Sequence, residues 1–103
     1  MTGGSIYDGE AYYMGGGIYF NKDNTTLEGT ISGGELFGNK AGMGGNIAIE
    51  GNSTATKKVT ISGTAKIQSG LAHHVGMIGG HGGNICLNDY GELTVSGGEI
   101  YNG

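Results

Sequence analysis

Four near-copies of one octapeptide run through this chain about thirty residues apart, and any fold for it has to place them equivalently. Thr2-Gly3-Gly4-Ser5-Ile6-Tyr7-Asp8-Gly9 matches Ser32-Gly33-Gly34-Glu35-Leu36-Phe37-Gly38-Asn39 and Ser96-Gly97-Gly98-Glu99-Ile100-Tyr101-Asn102-Gly103. Ser62-Gly63-Thr64-Ala65-Lys66-Ile67-Gln68-Ser69 is a looser copy with one residue inserted. A second set aligns Gly15-Gly16-Gly17-Ile18-Tyr19-Phe20 with Gly44-Gly45-Asn46-Ile47-Ala48-Ile49 and Gly82-Gly83-Asn84-Ile85-Cys86-Leu87. A third aligns Gly29-Thr30-Ile31-Ser32 with Val59-Thr60-Ile61-Ser62 and Leu93-Thr94-Val95-Ser96. Each period thus holds three short β-rich segments separated by turns.

Within the segments, apolar residues alternate with period two: Ile18 and Phe20, Ile47 and Ile49, Ile85 and Leu87 each share one face. A single repeat cannot bury such a face alone. Stacking repeats about 4.8 Å apart lays equivalent apolar residues over one another and builds a continuous core. The spacing predicts an all-β fold, a right-handed parallel β-helix with three sides and about three coils, as one domain over residues 1–103. The absence of proline agrees, because proline deletes a ladder hydrogen bond in an interior strand. No segment has helical periodicity with caps.

Composition narrows the function. Twenty-five glycines would suggest disorder, but they alternate with β-branched, apolar runs that disordered chains lack. A net charge of −4 removes the basic footprint of a nucleic-acid binder. No apolar stretch approaches the roughly 18 residues of a membrane span. The N-terminal residues have neither a basic nor an apolar signal-peptide region, so the chain is read as a mature or excised piece, or as one exported by another route. A single cysteine, Cys86, excludes an internal disulfide framework.

The run Leu36-Phe37-Gly38-Asn39-Lys40-Ala41-Gly42-Met43-Gly44-Gly45-Asn46-Ile47 resembles the paired short motifs of bacterial polymorphic outer-membrane adhesins, with an apolar residue three before an Asn and Gly-Gly-x-Ile close behind. Related glycine-rich β-helix repeats occur in autotransporter passengers and in surface proteins of gut bacteria. The resemblance spans essentially the whole chain. It implies an extracellular or bacterial cell-surface location and a structural or adhesive role. Gly9 and Gly70 stand at the Asn39 position, so no unbroken asparagine ladder is expected in that column.

Outward positions supply the candidate surfaces. With Ile6, Leu36, Ile67 and Ile100 inward, Tyr7, Phe37, Gln68 and Tyr101 face out, flanked by Ser5, Glu35, Lys66 and Glu99. An aromatic row beside the carboxylates of Glu35 and Glu99 suits sugar rings or a protein partner; the competing reading is sheet stabilisation by cross-strand contact. A second outward row, Thr30/Ser32, Thr60/Ser62 and Thr94/Ser96, is similar to the arrays of ice-binding solenoids, although outward threonine is ordinary in strands. Cys86 shares the outward position of Tyr19 and Ala48, where a subunit contact, a cross-link or a covering turn would account for it.

His73, His74 and His81 are the metal candidates, set against a plain solvated loop, because adjacent residues of an extended strand face opposite ways. Glu28 and Glu92 are equivalent with Lys58 between them, which reads as a surface charge ladder before an acid/base pair. All five basic residues are lysines, so forked carboxylate recognition by arginine is missing. The expectation is a non-enzymatic module without a cofactor that self-associates through its open ends into a filament. Its alternatives are a glycan- or host-surface-binding fragment, a polysaccharide-active solenoid and an ice-binding one. The octapeptide column occurs four times and the others three, so simple stacking leaves one column out of step unless an end overlaps, swaps or caps.

Overall fold

The structure is a computed structural model. It describes residues 1–75, 78–79 and 81–103, with the backbone alone for His74, Val75, Ile78 and Gly79. Among the described residues there is no helix, and the strands run in chain order. They are β1 (Ser5–Tyr7), β2 (Ile18–Phe20), β3 (Leu27–Ile31), β4 (Glu35–Phe37), β5 (Lys40–Ala41), β6 (Ile47–Glu50) and β7 (Lys57–Ile61). After these come β8 (Lys66–Gln68), β9 (Leu71–Ala72), β10 (His74–Val75), β11 (Ile78–Gly79), β12 (Ile85–Asn88), β13 (Gly91–Val95) and β14 (Glu99–Tyr101).

Three sheets hold the repeated segments, and every pairing in them is parallel. The first has the order β1-β4-β8-β14, the second β2-β6-β12 and the third β3-β7-β13. The register follows the sequence repeat, with Ile6 beside Leu36, Leu36 beside Ile67 and Ile67 beside Ile100. In the second sheet Ile47 lies between Ile18 and Ile85, and in the third Thr60 lies between Thr30 and Thr94. A two-stranded parallel sheet, β5-β9, and an antiparallel pair, β10-β11, complete the strands.

Alternation then decides the core. Leu36 and Ile67 from the first sheet, Ile47 and Ile49 from the second, and Ile31, Val59 and Ile61 from the third form one buried cluster. Each such side chain contributes about 1.5–3 kcal/mol through removal from water. In the row of Val59 and Leu93 the third position is Gly29, whose missing side chain leaves room for the Phe20 ring; a Cβ there would lie 2.8 Å from that ring. The last strand of each sheet carries its inward residue only half covered: Leu87, Val95 and Ile100 are exposed.

Lys57 departs from the apolar pattern. It sits in the inward row between Leu27 and Gly91, is 2% exposed, and runs its stem through the core. Its ammonium donates to the Asp23 carboxylate at 2.8 Å and to the carbonyls of Asp23 and Thr25. The turn that supplies these acceptors satisfies the buried charge.

Where the turns after the first sheet face the start of the second, the interior holds amides in place of hydrocarbons. Asn39 Nδ2 donates to Asn46 Oδ1 at 2.7 Å, and Asn46 Nδ2 donates to Asn84 Oδ1 at 2.8 Å. The Nδ2 groups of Asn39, Asn46 and Asn84 also donate to the carbonyls of Ile6, Gln68 and Tyr101 respectively, and the Gly9 and Gly70 N–H groups donate to Asn39 and Asn84. Neighbouring glycines make the space: a Cβ on Gly70 would lie 2.8 Å from Asn46 Nδ2. The Asn39 column itself carries no unbroken ladder, as its glycines imply. The ladder crosses from that column into the one of Asn46 and Asn84.

Two kinds of corner close the first and second sheets. Gly38 has φ +65°, and the equivalent positions hold Asp8, Ser69 and Asn102, all at positive φ. Gly44 has φ +64°, and a Cβ there would run into the Ile47 carbonyl. The first corner tolerates a short polar side chain in the left-handed region; the second has no room for any.

Candidate functional site

The outer face of the first sheet carries the expected row. Tyr7 pairs with Phe37, Phe37 with Gln68, and Gln68 with Tyr101. The Tyr7 and Phe37 rings stack with centroids 5.0 Å apart and planes 6° from parallel, and Tyr7 is 57% exposed. Gln68 breaks the row and donates to Glu35 Oε1, so Tyr101 stands apart from the stacked pair. Beside them Glu35, Lys66 and Glu99 alternate in sign across β4, β8 and β14.

On the outer face of the third sheet, Glu28, Lys58 and Glu92 form one row and Thr30, Thr60 and Thr94 the next. Lys58 Nζ lies 3.8 Å from Glu92 Oε2, with both side chains more than half exposed. These rows line a shallow depression of about 610 Å³ that Leu87 also borders. The lysine between the two carboxylates makes this an alternating charge row.

The second sheet carries a cleft that reading the sequence did not single out. Its floor is the outward face of β2, β6 and β12, from which Tyr19 projects in one row and Glu50 and Asn88 in the next. Its wall is Ala11–Met14 together with Met43, and the cleft measures about 660 Å³. Met14 bridges to Met43, and Tyr13 O accepts the Met43 N–H at 2.7 Å, which fixes the wall to the neighbouring repeat. The Tyr12 and Tyr13 rings meet edge to face at 90°, with centroids 4.6 Å apart, and both are exposed.

Glu50 is the buried polar group of that floor. Its Oε1 accepts from the Tyr19 hydroxyl at 2.9 Å and its Oε2 from Asn88 Nδ2 at 2.9 Å. Burial, then the hydrogen bond to Glu50 and its charge, push the Tyr19 hydroxyl up to about 12, so it remains a donor across the ordinary pH range. Among the described residues no cation lies within 4 Å of Glu50; the nearby Lys22 pairs with Asp89 at 3.0 Å. A sequence signal existed in the adjacent tyrosines of Ala11-Tyr12-Tyr13-Met14. Glu50 and Asn88 stand two residues beyond Ala48 and Cys86 and share their outward direction.

Cys86 does align with Tyr19 and Ala48, but it is half-buried on this face, and Ala48 is fully covered. Burial, followed by the Glu50 charge, raises the Cys86 thiol, the opposite of an activated nucleophile. Of the histidines, His81 is exposed beside Met43, and His73 is half-buried with Nδ1 lacking a hydrogen-bond partner among the described residues. The side chain of His74 lies outside the described residues, so the metal reading is not assembled on it. Among the described residues no three His, Cys, Asp or Glu side chains converge. Among the described residues no helix is long and apolar enough to cross a membrane. In comparison with known proteins, no family model, no curated protein and no solved structure matches the chain.

Proposed function

We propose that this chain is a non-enzymatic structural and adhesive module of an extracellular or bacterial cell surface, a right-handed three-sided β-helix that joins other copies through its ends. The observation that carries the reading is the half-covered last strand of each of the three repeat sheets, where Leu87, Val95 and Ile100 stand in core rows with nothing above them among the described residues. Unpaired strand edges and apolar ends together favour addition of another parallel strand layer. The 17 Å shortest dimension agrees with a stack of four strands, whose three intervals take roughly 14 Å. The resemblance to adhesin and autotransporter passenger repeats points to the same setting.

The first sheet has four strands and the others three, so copies joined in step require one first-sheet strand to overlap, swap with or cap its counterpart. Sedimentation velocity and electron microscopy of the purified 103-residue chain test the assembly. A concentration-dependent series of lengthening particles is expected. A compact monomer at every concentration overturns it.

The exposed Tyr7–Phe37 stack favours a second reading, adhesion to glycans through flat apolar sugar faces. Glycan binding that disappears in Tyr7→Ala while assembly persists would assign adhesion to the first sheet.

A further inference from the structure

The cleft on the second sheet combines features that neither assembly nor the stacked pair uses. Glu50 is a carboxylate 9% exposed, and both its oxygens are held by neutral donors. Burying a negative charge leaves an electrostatic demand that dipoles meet only in part, and the net charge of −4 adds to it. Above that carboxylate the lining is aromatic and thioether: Tyr12, Tyr13 and Tyr19 with Met14 and Met43. Tyr12 and Tyr13 meet edge to face, which holds the two rings against each other while both stay exposed in the lining. Ring faces carry negative potential and attract cations.

The kind of cation follows from the hydrogen-bonding inventory. A primary ammonium brings three N–H donors, whereas Glu50, the one carboxylate of the lining, keeps a single further lone pair on each oxygen after Tyr19 and Asn88. A sugar ring brings several hydroxyls, each needing a partner from a lining with few polar atoms. A quaternary ammonium carries its charge with no N–H at all, and its methyl groups pack against rings and thioethers. The volume, about 660 Å³, falls in the range of small-ligand sites. We propose that this cleft binds a quaternary ammonium group, with the cation seated against the tyrosine faces in the field of the Glu50 carboxylate.

The test is calorimetric titration of the 103-residue chain with choline, with 3,3-dimethyl-1-butanol, its neutral isostere, and with N-acetylglucosamine. Choline should bind saturably and about tenfold more tightly than the isostere, since only the charge differs. Glu50→Gln should reduce choline affinity by a similar factor. Tyr12→Leu, at a residue 66% exposed and therefore harmless to folding, should reduce it about threefold. Equal affinity for choline and the isostere, preference for the saccharide, or no saturable choline binding would each overturn the assignment. The comparison of ligands on the unaltered chain stands even if Glu50→Gln fails to fold, and it is independent of whether copies join end to end.

Discussion

Asn46 is the residue on which the polar part of the interior turns. It accepts from Asn39 and donates to Asn84 and to the Gln68 carbonyl, so its replacement orphans groups on both sides. Leucine has the same number of side-chain heavy atoms and the same branch point, yet Asn46→Leu should lower stability by about 3 kcal/mol, because each buried group left unpaired costs about 1–3 kcal/mol. Urea unfolding followed by circular dichroism would measure it, and a loss under about 1 kcal/mol would deny the amides their structural role. The Lys57–Asp23 contact makes a different prediction, one of sign. The Lys57 ammonium, then the Thr25 N–H, hold the Asp23 carboxyl below its ordinary 3.8. A depressed folded value means the stabilisation is complete above pH 3.8 and disappears as the pH falls through that lower value. Urea midpoints between about pH 2 and 6 should therefore drop on the acid side, and Asp23→Asn should flatten that drop.

Among the connecting elements, the two corner types separate conformational cost from steric cost. Gly38→Asn should change stability by less than about 1 kcal/mol, since Asp8, Ser69 and Asn102 already hold the same left-handed corner in the other copies. Gly44→Ala should cost upward of about 2 kcal/mol, because the left-handed strain is joined by a collision with the Ile47 carbonyl. Thermal unfolding of the two variants side by side would check the order, and equal losses would refute it. The same contrast explains what the sequence could reveal. Strand rows such as Ile18, Ile47 and Ile85 were legible because period-two alternation and a thirty-residue repeat depend only on residue order. Lys57 in a core row was not, because its burial depends on the Asp23–Thr25 turn folding back over its ammonium. The Tyr12–Tyr13 cleft was equally hidden, since those tyrosines lie outside any strand and their position is fixed by contacts to the next repeat. Repetition discloses what is stacked, and irregular connections decide what lies over it.

For the whole molecule the two ends are not alike. At one, Met1 packs against the core, its carbonyl accepts from the Ser32 N–H at 2.9 Å, and Ile31 is buried. At that end only Leu27 of the inward rows is exposed, at 40%, whereas at the other Leu87, Val95 and Ile100 remain 49%, 51% and 39% exposed. In the proposed assembly each added strand layer is parallel to the one below it, which requires a head-to-tail join, a heterologous contact that propagates in place of closing. Val95 and Thr94 provide the discriminating pair, adjacent on β13 with Val95 in the core row of Ile31 and Ile61 and Thr94 in the outward row. Val95→Lys would place an unpaired charge in the join and should weaken association at least about tenfold. Thr94→Lys adds the same charge one residue away, on the outer face, and should leave association within about twofold. Because each copy carries a net charge of −4, added salt should strengthen association of the unaltered chain by screening the repulsion between copies. Sedimentation equilibrium across a salt series measures all three, and equal effects of the two lysines would place the contact on an outer face of the sheets and not at their ends.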